Sequence, residues 1–318
     1  MILCCGGALL DMVPAKVDGL DGNEDGYRAC PGGGMFNTAN AIGRLGVPVQ
    51  FLAKLSTDFF GETLISRLRS NSVGTEYLVR SGQHSTLAFV RLENGKEPQY
   101  SFYTEGSADS SLSACDIPAK LPDEIGCIVF GDIAMTMEPV ASSIEMLVTR
   151  EKTLGKRVIS FDPNIRPFMI RDRSAYTERF ERLAGMSTIT KISDADYQYL
   201  YPGEKTEDCL RHTLKLGAKL AIATLGSSGA QAVRETDSAA NIFVKSEKTK
   251  VVDTIGAGDT FHGAFLSYLE LHGKMSPNAI AALSNDELED ALKFANRAAA
   301  IVCSRQGAQP PDISEMRN

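Results

Sequence analysis

The segment Asp253–Phe265 reads DTIGAGDTFHGAF and puts two glycines and an aspartate beside a helical pattern. The apolar residues after Gly258 recur at the spacing of one helical face, at Phe261, Ala264, Phe265, Tyr268 and Leu269. The segment Gly256–Gly258 therefore lies at or just before a helix N-terminus, where N–H groups lack intrahelical acceptors and the dipole is positive. Because glycine lets a ligand approach the backbone closely, this pattern predicts an anion-binding site.

Asp259 follows these glycines directly, and two roles are open to it. Its carboxylate could cap the helix. A carboxylate beside an anion site is also what phosphoryl transfer to an alcohol requires, because it can accept the hydroxyl proton while backbone donors stabilise the transferred group. A dinucleotide fingerprint would need glycine at Phe261, and a Walker A loop would need Gly-Lys-Ser/Thr, so both of these glycine-rich sites are excluded.

Short apolar runs alternate with helical patterns along the rest of the chain. Strands are predicted at Ile2–Leu10, Val49–Lys54, Cys127–Phe130, Arg157–Asp162, Thr188–Ile192 and Leu220–Thr224. Helices are predicted near Phe36–Leu45, Phe60–Ser70, Val140–Leu154, Ala175–Leu183, Thr206–Leu216, Ala257–Leu271 and Asp286–Cys303. This alternation indicates an α/β fold with a mostly parallel sheet that is covered by helices on both faces.

Two stretches lack a helical pattern, namely Met12–Pro31 and His84–Glu105. The second contains two strand-like runs joined by Asn94-Gly95, which is a hairpin signal. Together the stretches predict a small β-layer attached to the main sheet. The residues alone leave open whether this layer is a lid over a ligand or an ordinary edge hairpin.

Composition limits the classes of partner. The 318-residue chain is long enough for one large α/β domain, or for a large domain with a smaller one attached, and its formal net charge is −7. This charge argues against nucleic acid and anionic membranes as main partners. The chain has no apolar window of membrane-spanning length, and its short N-terminal apolar run has no basic segment before it, so no signal peptide is expected. Seven cysteines without a C-x-x-C motif are typical of free thiols in the cytoplasm.

Several motifs together resemble those of the ribokinase-like (PfkB) carbohydrate kinases, and within that family the bacterial fructokinases. They are DTIGAGDTFHGAF, PGGGMFNTANAIGRLG at Pro31–Gly46, FLAKLSTDFFGE at Phe51–Glu62, the LAFVRL run and the FDPNIRP segment. The resemblance covers nearly the whole chain. It implies a single kinase domain over residues 1–318, built as a three-layer sandwich with a small β-sheet lid from segments at about 12–31 and 84–106.

The resemblance also implies roles around a sugar. Asp259 matches the catalytic base, and Gly256, Ala257 and Gly258 match the anion hole. Asp11, Gly33, Asn37 and Arg166 match the residues that bind the sugar in this family. Arg166 also matches a residue near the transferred phosphoryl group. On the residues alone, Asn37 could instead cap a helix, Asp11 could close a turn, and Arg166 could form a surface ion pair.

On the nucleotide side, the resemblance places Thr224, Gly226 and Gly229 near the phosphates and Asn296 beside the adenine of ATP. Asp196 matches a residue that binds Mg²⁺ through water, although it could instead be a helix-start acid. Asp253 matches a side chain near a monovalent cation such as K⁺ in relatives that use one. His262, one turn into the signature helix, is expected to face solvent or the nucleotide.

Two departures from the family pattern concern these roles. Gly7 stands where the family often has glutamate, so a supporting carboxylate is absent from the first strand. The family's Asn-x-x-Glu segment is here Ser193-Asp194-Ala195-Asp196, and the Asp196 side chain is one methylene shorter than glutamate.

The expected activity is ATP-dependent phosphorylation of a sugar, with fructose as acceptor and fructose 6-phosphate as product. A second acceptor is 2-keto-3-deoxygluconate, whose carboxylate would need a cation such as Arg91 or Arg166; a nucleoside is less expected. Two alternatives belong to other functional classes. One is a sensor that binds sugar or nucleotide without turnover, and the other is an NAD-dependent oxidoreductase. Exposed edge strands of the lid predict a homodimer formed through the lids.

Overall fold

The computed structural model describes residues 1–17, 24–91 and 99–317, and strands and helices alternate along most of them. The strands are β1 (Ile2–Cys5), β2 (Leu9–Val17), β3 (Glu24–Gly32), β4 (Val49–Ser56), β5 (Val73–Gly74), β6 (Leu78–Ser81), β7 (Leu87–Arg91), β8 (Gln99–Tyr103), β9 (Cys127–Gly131), β10 (Val158–Asp162), β11 (Ile189–Ser193), β12 (Leu220–Thr224), β13 (Gly229–Arg234) and β14 (Asp237–Lys245). The α-helices are α1 (Gly34–Arg44), α2 (Phe59–Ser70), α3 (Val140–Leu154), α4 (Arg173–Met186), α5 (Asp194–Leu200), α6 (Thr206–Leu216), α7 (Ala257–Leu271), α8 (Pro277–Ala281) and α9 (Asn285–Cys303).

The main sheet has the order β14-β13-β12-β11-β10-β9-β1-β4-β5, and β6 also pairs with β4. From β12 to β5 the neighbouring strands are parallel, whereas β13 and β14 form an antiparallel hairpin at the other edge. Parallel strands have their carboxyl ends at one edge of the sheet, which is where ligands bind in open α/β folds.

Helices cover both faces of this sheet, as β1 shows residue by residue. Because side chains alternate along a strand, Ile2 and Cys4 join the core under α1, α7 and α9, while Leu3 and Cys5 join the core under α3, α4 and α6. All four side chains are fully buried. The predicted fold class, a helix–sheet–helix sandwich with a mostly parallel sheet, is confirmed. Within the described ranges, no helix is both long enough and apolar enough to cross a membrane.

A second sheet of four strands has the order β3-β2-β7-β8, and it is the predicted small β-layer. Its strands β2 and β3 are antiparallel, as are β7 and β8, while β2 and β7 are parallel. The Asn94-Gly95 turn signal lies outside the described residues. One face of this small sheet presents Asp11, Arg28, Val90 and Phe102 to a cavity, and the other carries Tyr27, Met12, Phe89 and Tyr103.

The prediction of one strand over Ile2–Leu10 is wrong. The main-sheet strand ends at Cys5, and residues from Leu9 onward belong to the small sheet. The start of α1 packs against the break between them, because a Cβ at Gly6 would lie 2.8 Å from the Met35 Cβ. Asp11 therefore lies in the small sheet and does not end the first strand. The strands β5, β6, β13 and β14 and the short helices α5 and α8 were not predicted.

Helices α1 and α7 cross at unusually close range where Gly263 meets the first turns of α1. A Cβ at Gly263 would lie 2.9 Å from both the Ala41 Cβ and the Thr38 carbonyl oxygen. This crossing matters because α1 carries Asn37 and α7 carries Asp259.

We expect Gly263→Val to lower the free energy of unfolding by about 1–3 kcal/mol, because the added methyl groups must separate the two helices. Gly82→Ala is the matched control, since Gly82 is exposed with no atom within 4 Å of an added Cβ, and its effect should stay within about 0.5 kcal/mol. Urea denaturation of both variants measures the difference. Equal stability of the two would contradict the close crossing.

Candidate active site

A cavity of about 570 Å³ opens between the small sheet and the N-terminal ends of α1 and α7. Its walls come from four groups of residues, several of them built from stretches that are distant in sequence. They are the inward face of the small sheet, residues 32–34 with Asn37, the loops that carry Asp132, Asn164 and Arg166, and residues 252–259 with 306–308. The cavity thus brings together Asp11, Gly33, Asn37, Arg166, Asp253 and the Gly256–Asp259 segment, all of which were singled out from the sequence.

The first turn of α7 has the predicted form of an anion site. Gly256 is the N-cap residue and adopts the left-handed region with φ of 75°, which favours glycine. A Cβ there would also lie 2.7 Å from the Ala308 Cβ. In the following turn, the Ala257 N–H donates to the Thr254 carbonyl oxygen at 3.2 Å and the Thr260 N–H to the Gly256 carbonyl oxygen at 2.8 Å. The N–H groups of Gly258 and Asp259 come too early in the helix to have an intrahelical acceptor.

Asp259 does not cap this helix, so the capping role is wrong. Its carboxylate accepts hydrogen bonds from two side-chain amides: the Asn37 Nδ2 lies 2.9 Å from Oδ2, and the Asn164 Nδ2 lies 3.1 Å from Oδ1. The residue is only 7% exposed, yet it lines the cavity. Two amides therefore fix the carboxylate at the place where a bound hydroxyl would meet it.

Burial sets the proton affinity of this carboxylate. Loss of solvent raises the pKa of Asp259 to about 6, against the opposing effect of the Asn37 hydrogen bond. Asp162 raises the pKa further, while Lys191 and Arg166 lower it. At neutral pH the group is ionised and has a higher proton affinity than an exposed aspartate, which suits a general base.

Asn37 and Gly33 take part in the start of α1. Asn37 lies inside the helix, and Gly33 is the N-cap residue, so the N-cap role for Asn37 is wrong. Gly33 has φ of 114°, and a Cβ there would lie 2.7 Å from the Gly7 carbonyl oxygen. Glycine is therefore required where the chain passes from the small sheet to α1.

Asp11 and Arg166 both line the cavity. Burial raises the pKa of Asp11 to about 6, and the Arg166 guanidinium counteracts this. Arg166 Nη1 donates to the Ile165 carbonyl oxygen at 3.1 Å, and the side chain lines the cavity rather than pairing on the surface. Asp11 lies within β2, so it does not close a turn.

Of the residues predicted to hold the nucleotide, Gly256 and Gly258 line this cavity, whereas Thr224, Gly226, Gly229 and Asn296 do not. Thr224 ends β12, Gly226 lies in the next turn, and Gly229 begins β13. These three residues lie at the carboxyl edge of the parallel sheet. Asn296 is buried, and its Nδ2 donates to the carbonyl oxygens of Val244 and Lys245 at 3.2 Å each, so its amide N–H groups already hold β14.

Asp196 and Asp253, the two residues predicted to lie near metal ions, also accept hydrogen bonds from backbone N–H groups. Asp196 Oδ1 accepts from the Ile165 N–H at 3.2 Å, and burial raises the pKa of Asp196 to about 6. Asp253 accepts from the N–H groups of Ile255 and Gly307 at 3.0 and 2.8 Å. Across the described part of the chain, no group of three or more His, Cys, Asp or Glu side chains could hold a metal ion by itself.

Sequence reasoning missed four residues next to Asp259. Asn164 lies within the quoted FDPNIRP segment but was given no role. Asp132 has φ of 57°, lines the cavity and accepts from the Met35 N–H at 2.9 Å, and burial raises its pKa to about 7. Asp162 and Lys191 form a buried ion pair of 2.8 Å. Alternation along strands could have found this pair, since each lies near the end of a predicted strand.

The expectation for His262 is wrong. Its side chain is fully buried, and its Nε2 lies 2.7 Å from the Ser160 Oγ. Its Nδ1 lies 3.7 Å from Asp162. Burial lowers the pKa of His262 to about 4, so the ring is neutral. This Ser-His-Asp arrangement has no access to solvent and does not form a hydrolase site.

Known proteins match this chain over nearly its whole length. The model of the pfkB family carbohydrate kinases matches residues 1–315. The chain belongs to this family. A fructokinase from Rhizobium leguminosarum bv. trifolii is 38% identical over 290 residues, which cover 91% of this chain and 86% of that protein. Fructokinase-1 from Oryza sativa subsp. japonica is 30% identical over 98% of this chain and 94% of its own length.

Solved structures of carbohydrate kinases share the fold. A fructokinase with bound ATP from Xylella fastidiosa superposes with a TM-score of 0.89 at 25% identity, covering 99% of this chain and 96% of that one. A Vibrio cholerae O395 fructokinase with bound fructose, ADP and calcium ion has a TM-score of 0.80 at 28% identity, covering 96% and 94%. This pfkB-family chain therefore has the ribokinase-like fold, and it is a phosphotransferase that acts on a sugar hydroxyl.

We expect Asp259→Asn to change how stability depends on pH. The native pKa of Asp259, about 6, lies above its unfolded value, so the native state binds more protons and the parent loses stability as the pH rises from about 4 to about 6. The variant does not lose stability in this way, because asparagine does not ionise. The free energy of unfolding of the parent relative to the variant should therefore fall across that window and stay level above it. A difference that does not vary with pH would contradict the burial of an ionisable Asp259.

Proposed function

We propose that the protein is an ATP-dependent fructokinase that transfers the γ-phosphoryl group of ATP to fructose and forms fructose 6-phosphate. The observation that carries this proposal is the Asp259 carboxylate, fixed by Asn37 and Asn164 in a cavity of about 570 Å³, in the first turn of α7. The names of the relatives, and the ATP and fructose bound in the structural neighbours, support the choice of both substrates.

In this proposal the acceptor lies between the small sheet and α1. Asp11 accepts hydrogen bonds from sugar hydroxyls, and Gly33 lets the ring approach the backbone. Asp259 accepts the proton of the reacting hydroxyl. Asn37 and Asn164 already donate to both carboxylate oxygens, so the carboxylate needs little reorganisation as the proton is transferred.

The transferred phosphoryl group lies over Gly256, Ala257 and Gly258. Backbone N–H groups at a helix N-terminus stabilise the charge on its oxygens, and the Arg166 guanidinium supplies a second donor set from the cavity wall. The rest of ATP extends along the carboxyl edge of the sheet toward Thr224, Gly226, Gly229 and Asn296.

Two cations belong to this proposal. Mg²⁺ bound to the ATP phosphates would neutralise their charge. Asp196 could bind a water ligand of this Mg²⁺ through Oδ2, because Oδ1 already accepts the hydrogen bond from the Ile165 N–H. This water-mediated role fits the finding that no cluster of protein side chains in the described residues could hold a metal ion by itself. Asp253 would lie near a monovalent cation such as K⁺, and a structural neighbour holds potassium ion with fructose and ADP.

The chain would act as one kinase domain, residues 1–318, with the small sheet as its lid. The lid segments predicted at about 12–31 and 84–106 correspond to β2, β3, β7 and β8. Their inward side chains Val90, Tyr100 and Phe102 would cover the sugar and exclude water, which limits hydrolysis of ATP. The seven cysteines are free thiols, which supports the proposal that the enzyme works in the cytoplasm.

A second acceptor, 2-keto-3-deoxygluconate, is favoured by one observation. Arg28 lines the cavity together with Arg166, so two guanidinium groups could meet a carboxylate. Arg91, the other cation named from the sequence, does not line the cavity, because it alternates with Val90 along β7 and lies on the opposite face.

We expect ADP release from MgATP with fructose, and a loss of roughly 10²–10⁴-fold in kcat for Asp259→Asn, because the base is removed. A coupled assay would compare fructose, 2-keto-3-deoxygluconate, ribose, tagatose and adenosine. Asp290→Asn on the exposed face of α9 is the matched control and should stay within about twofold of the parent. Turnover on another acceptor alone would contradict fructose as substrate, and unchanged turnover in Asp259→Asn would contradict the base.

We also propose that the protein is a homodimer formed through the lids. Tyr27 and Tyr103 are 52% and 59% exposed, and each packs edge-on against Phe89 on the outer lid face. A second lid would cover this face and pair the edge strands. Sedimentation equilibrium should give a dimer mass for the parent and a weaker dimer for Tyr103→Ser. A monomer mass at every concentration would contradict the proposal.

A further inference from the structure

Helix α1 begins without a capping side chain of its own. Its N-cap residue is Gly33, and its first turn contains no acid. Asp132, which follows β9, supplies the missing acceptor, because its Oδ2 accepts from the Met35 N–H at 2.9 Å. Met35 is the second residue of α1, and the N–H at this position is one that an N-cap side chain ordinarily binds. Asp132 therefore caps α1 from a position 97 residues away along the chain.

The Asp132 carboxylate is itself fixed in place. Its Oδ1 accepts from the Ala134 N–H at 2.8 Å, so each oxygen has a backbone donor. The residue adopts the left-handed region with φ of 57°, which few side chains tolerate, and such strain tends to occur at functional sites. Asp132 is only 3% exposed, so water cannot readily take its place at the Met35 N–H.

The first residue of α1, Gly34, leaves room for this contact. A Cβ at Gly34 would lie 2.9 Å from the Asp132 Cβ and 2.7 Å from the Asn164 Nδ2. The same Asn164 amide donates to the Asp259 Oδ1 at 3.1 Å. Asp132 and Asn164 therefore both pack against the start of α1, in the wall of the cavity.

The next residues of α1 hold Asp259. The Asn37 Nδ2 donates to the Asp259 Oδ2 at 2.9 Å, and the Thr38 Oγ donates to the Asp259 carbonyl oxygen at 3.3 Å. Met35 and Asn37 lie in the same helical turn, so a displacement at the Met35 N–H moves the Asn37 amide as well. Hydrogen bonds thus connect Asp132 to the start of α1, and α1 to the proposed base.

We propose that Asp132 is a positioning residue of the phosphoryl-transfer site: its carboxylate fixes the first turn of α1, which in turn holds the Asp259 carboxylate through Asn37. This inference rests on the proposed function. Without the cap, the first turn would have an unpaired buried N–H and would loosen, and Asn37 would lose its fixed direction toward the base. Because Asp132 also lines the cavity, the test separates this role from a direct contact with the sugar.

The test compares Asp132→Gly with Asp132→Asn. Both variants lack the charge, and glycine and asparagine both tolerate φ of 57°. Only asparagine keeps a side-chain oxygen that can accept from the Met35 N–H. Asp172→Gly is the matched control, because Asp172 caps α4 by accepting from the Ala175 N–H at 3.1 Å and does not line the cavity.

NMR of the protein without ligands reads these contacts and needs no turnover. We expect the Met35 amide hydrogen to exchange at least roughly tenfold faster in Asp132→Gly than in Asp132→Asn, because its acceptor is lost. The side-chain amide signal of Asn37 should shift in Asp132→Gly and stay as in the parent in Asp172→Gly. Equal exchange at Met35 in the two Asp132 variants, or an unchanged Asn37 signal in Asp132→Gly, would overturn the proposal.

Kinetics then separate positioning from direct contact. With fructose and MgATP, kcat of Asp132→Gly should fall roughly tenfold or more relative to Asp132→Asn, because a displaced base meets the hydroxyl poorly. Asp172→Gly should stay within about twofold of the parent. A higher KM for fructose with kcat unchanged would mean that Asp132 binds the sugar directly, and would overturn the positioning role. If no acceptor is turned over but the NMR differences are found, the proposed function fails while the role of Asp132 in holding Asn37 is supported.

Discussion

The burial of one carboxylate at a helix N-terminus is the constraint on which the rest of the site depends. Asp259 loses nearly all of its water, so its charge must be stabilised by groups of the protein. Asn37 from α1 and Asn164 from the loop after β10 provide two hydrogen bonds to that charge. The close crossing of α1 and α7 at Gly263 is what brings Asn37 within reach. The helix packing, the hydrogen bonds to the carboxylate and the position of the base therefore depend on one another.

The site collects acids whose ionisation opposes folding. Burial raises the pKa values of Asp11, Asp132, Asp196 and Asp259 to between about 6 and about 7. Each of them binds protons more tightly in the native state than in the unfolded chain, so ionisation near neutral pH costs stability. The large sheet and its two cores supply the stability that tolerates this cost. Sugar hydroxyls and bound cations would reduce this cost, because they can pair with the carboxylate oxygens that face the cavity.

Sequence alone predicts the strongly periodic elements and the local motifs well, since these depend on neighbouring residues. The helix after Gly258, the buried strands of the parallel sheet and the small β-layer follow from apolar spacing and from turn residues. The break of the first strand at Gly6 could not be predicted, because it depends on the contact with Met35, a residue distant in sequence. The same holds for Asn164, Asp132 and Lys191, whose partners lie about 30 to 100 residues away along the chain.

One physical cause explains why the expectation for His262 was wrong and why Arg91, a candidate cation, does not line the cavity. Arg91 and His262 each lie on a regular element, and only the packing of that element shows which face is covered. His262 is buried because α7 lies against β10, and Arg91 points away from the cavity because Val90 points into it.

A crystal structure with fructose and a non-hydrolysable ATP analogue tests the central claim most directly, because it locates both reactants relative to Asp259. We expect the primary hydroxyl of fructose to lie within about 3.2 Å of an Asp259 carboxylate oxygen, with the terminal phosphate over the N–H groups of Gly256–Gly258. A sugar whose hydroxyls all lie beyond hydrogen-bond reach of Asp259, with the phosphate away from the α7 N-terminus, would contradict it.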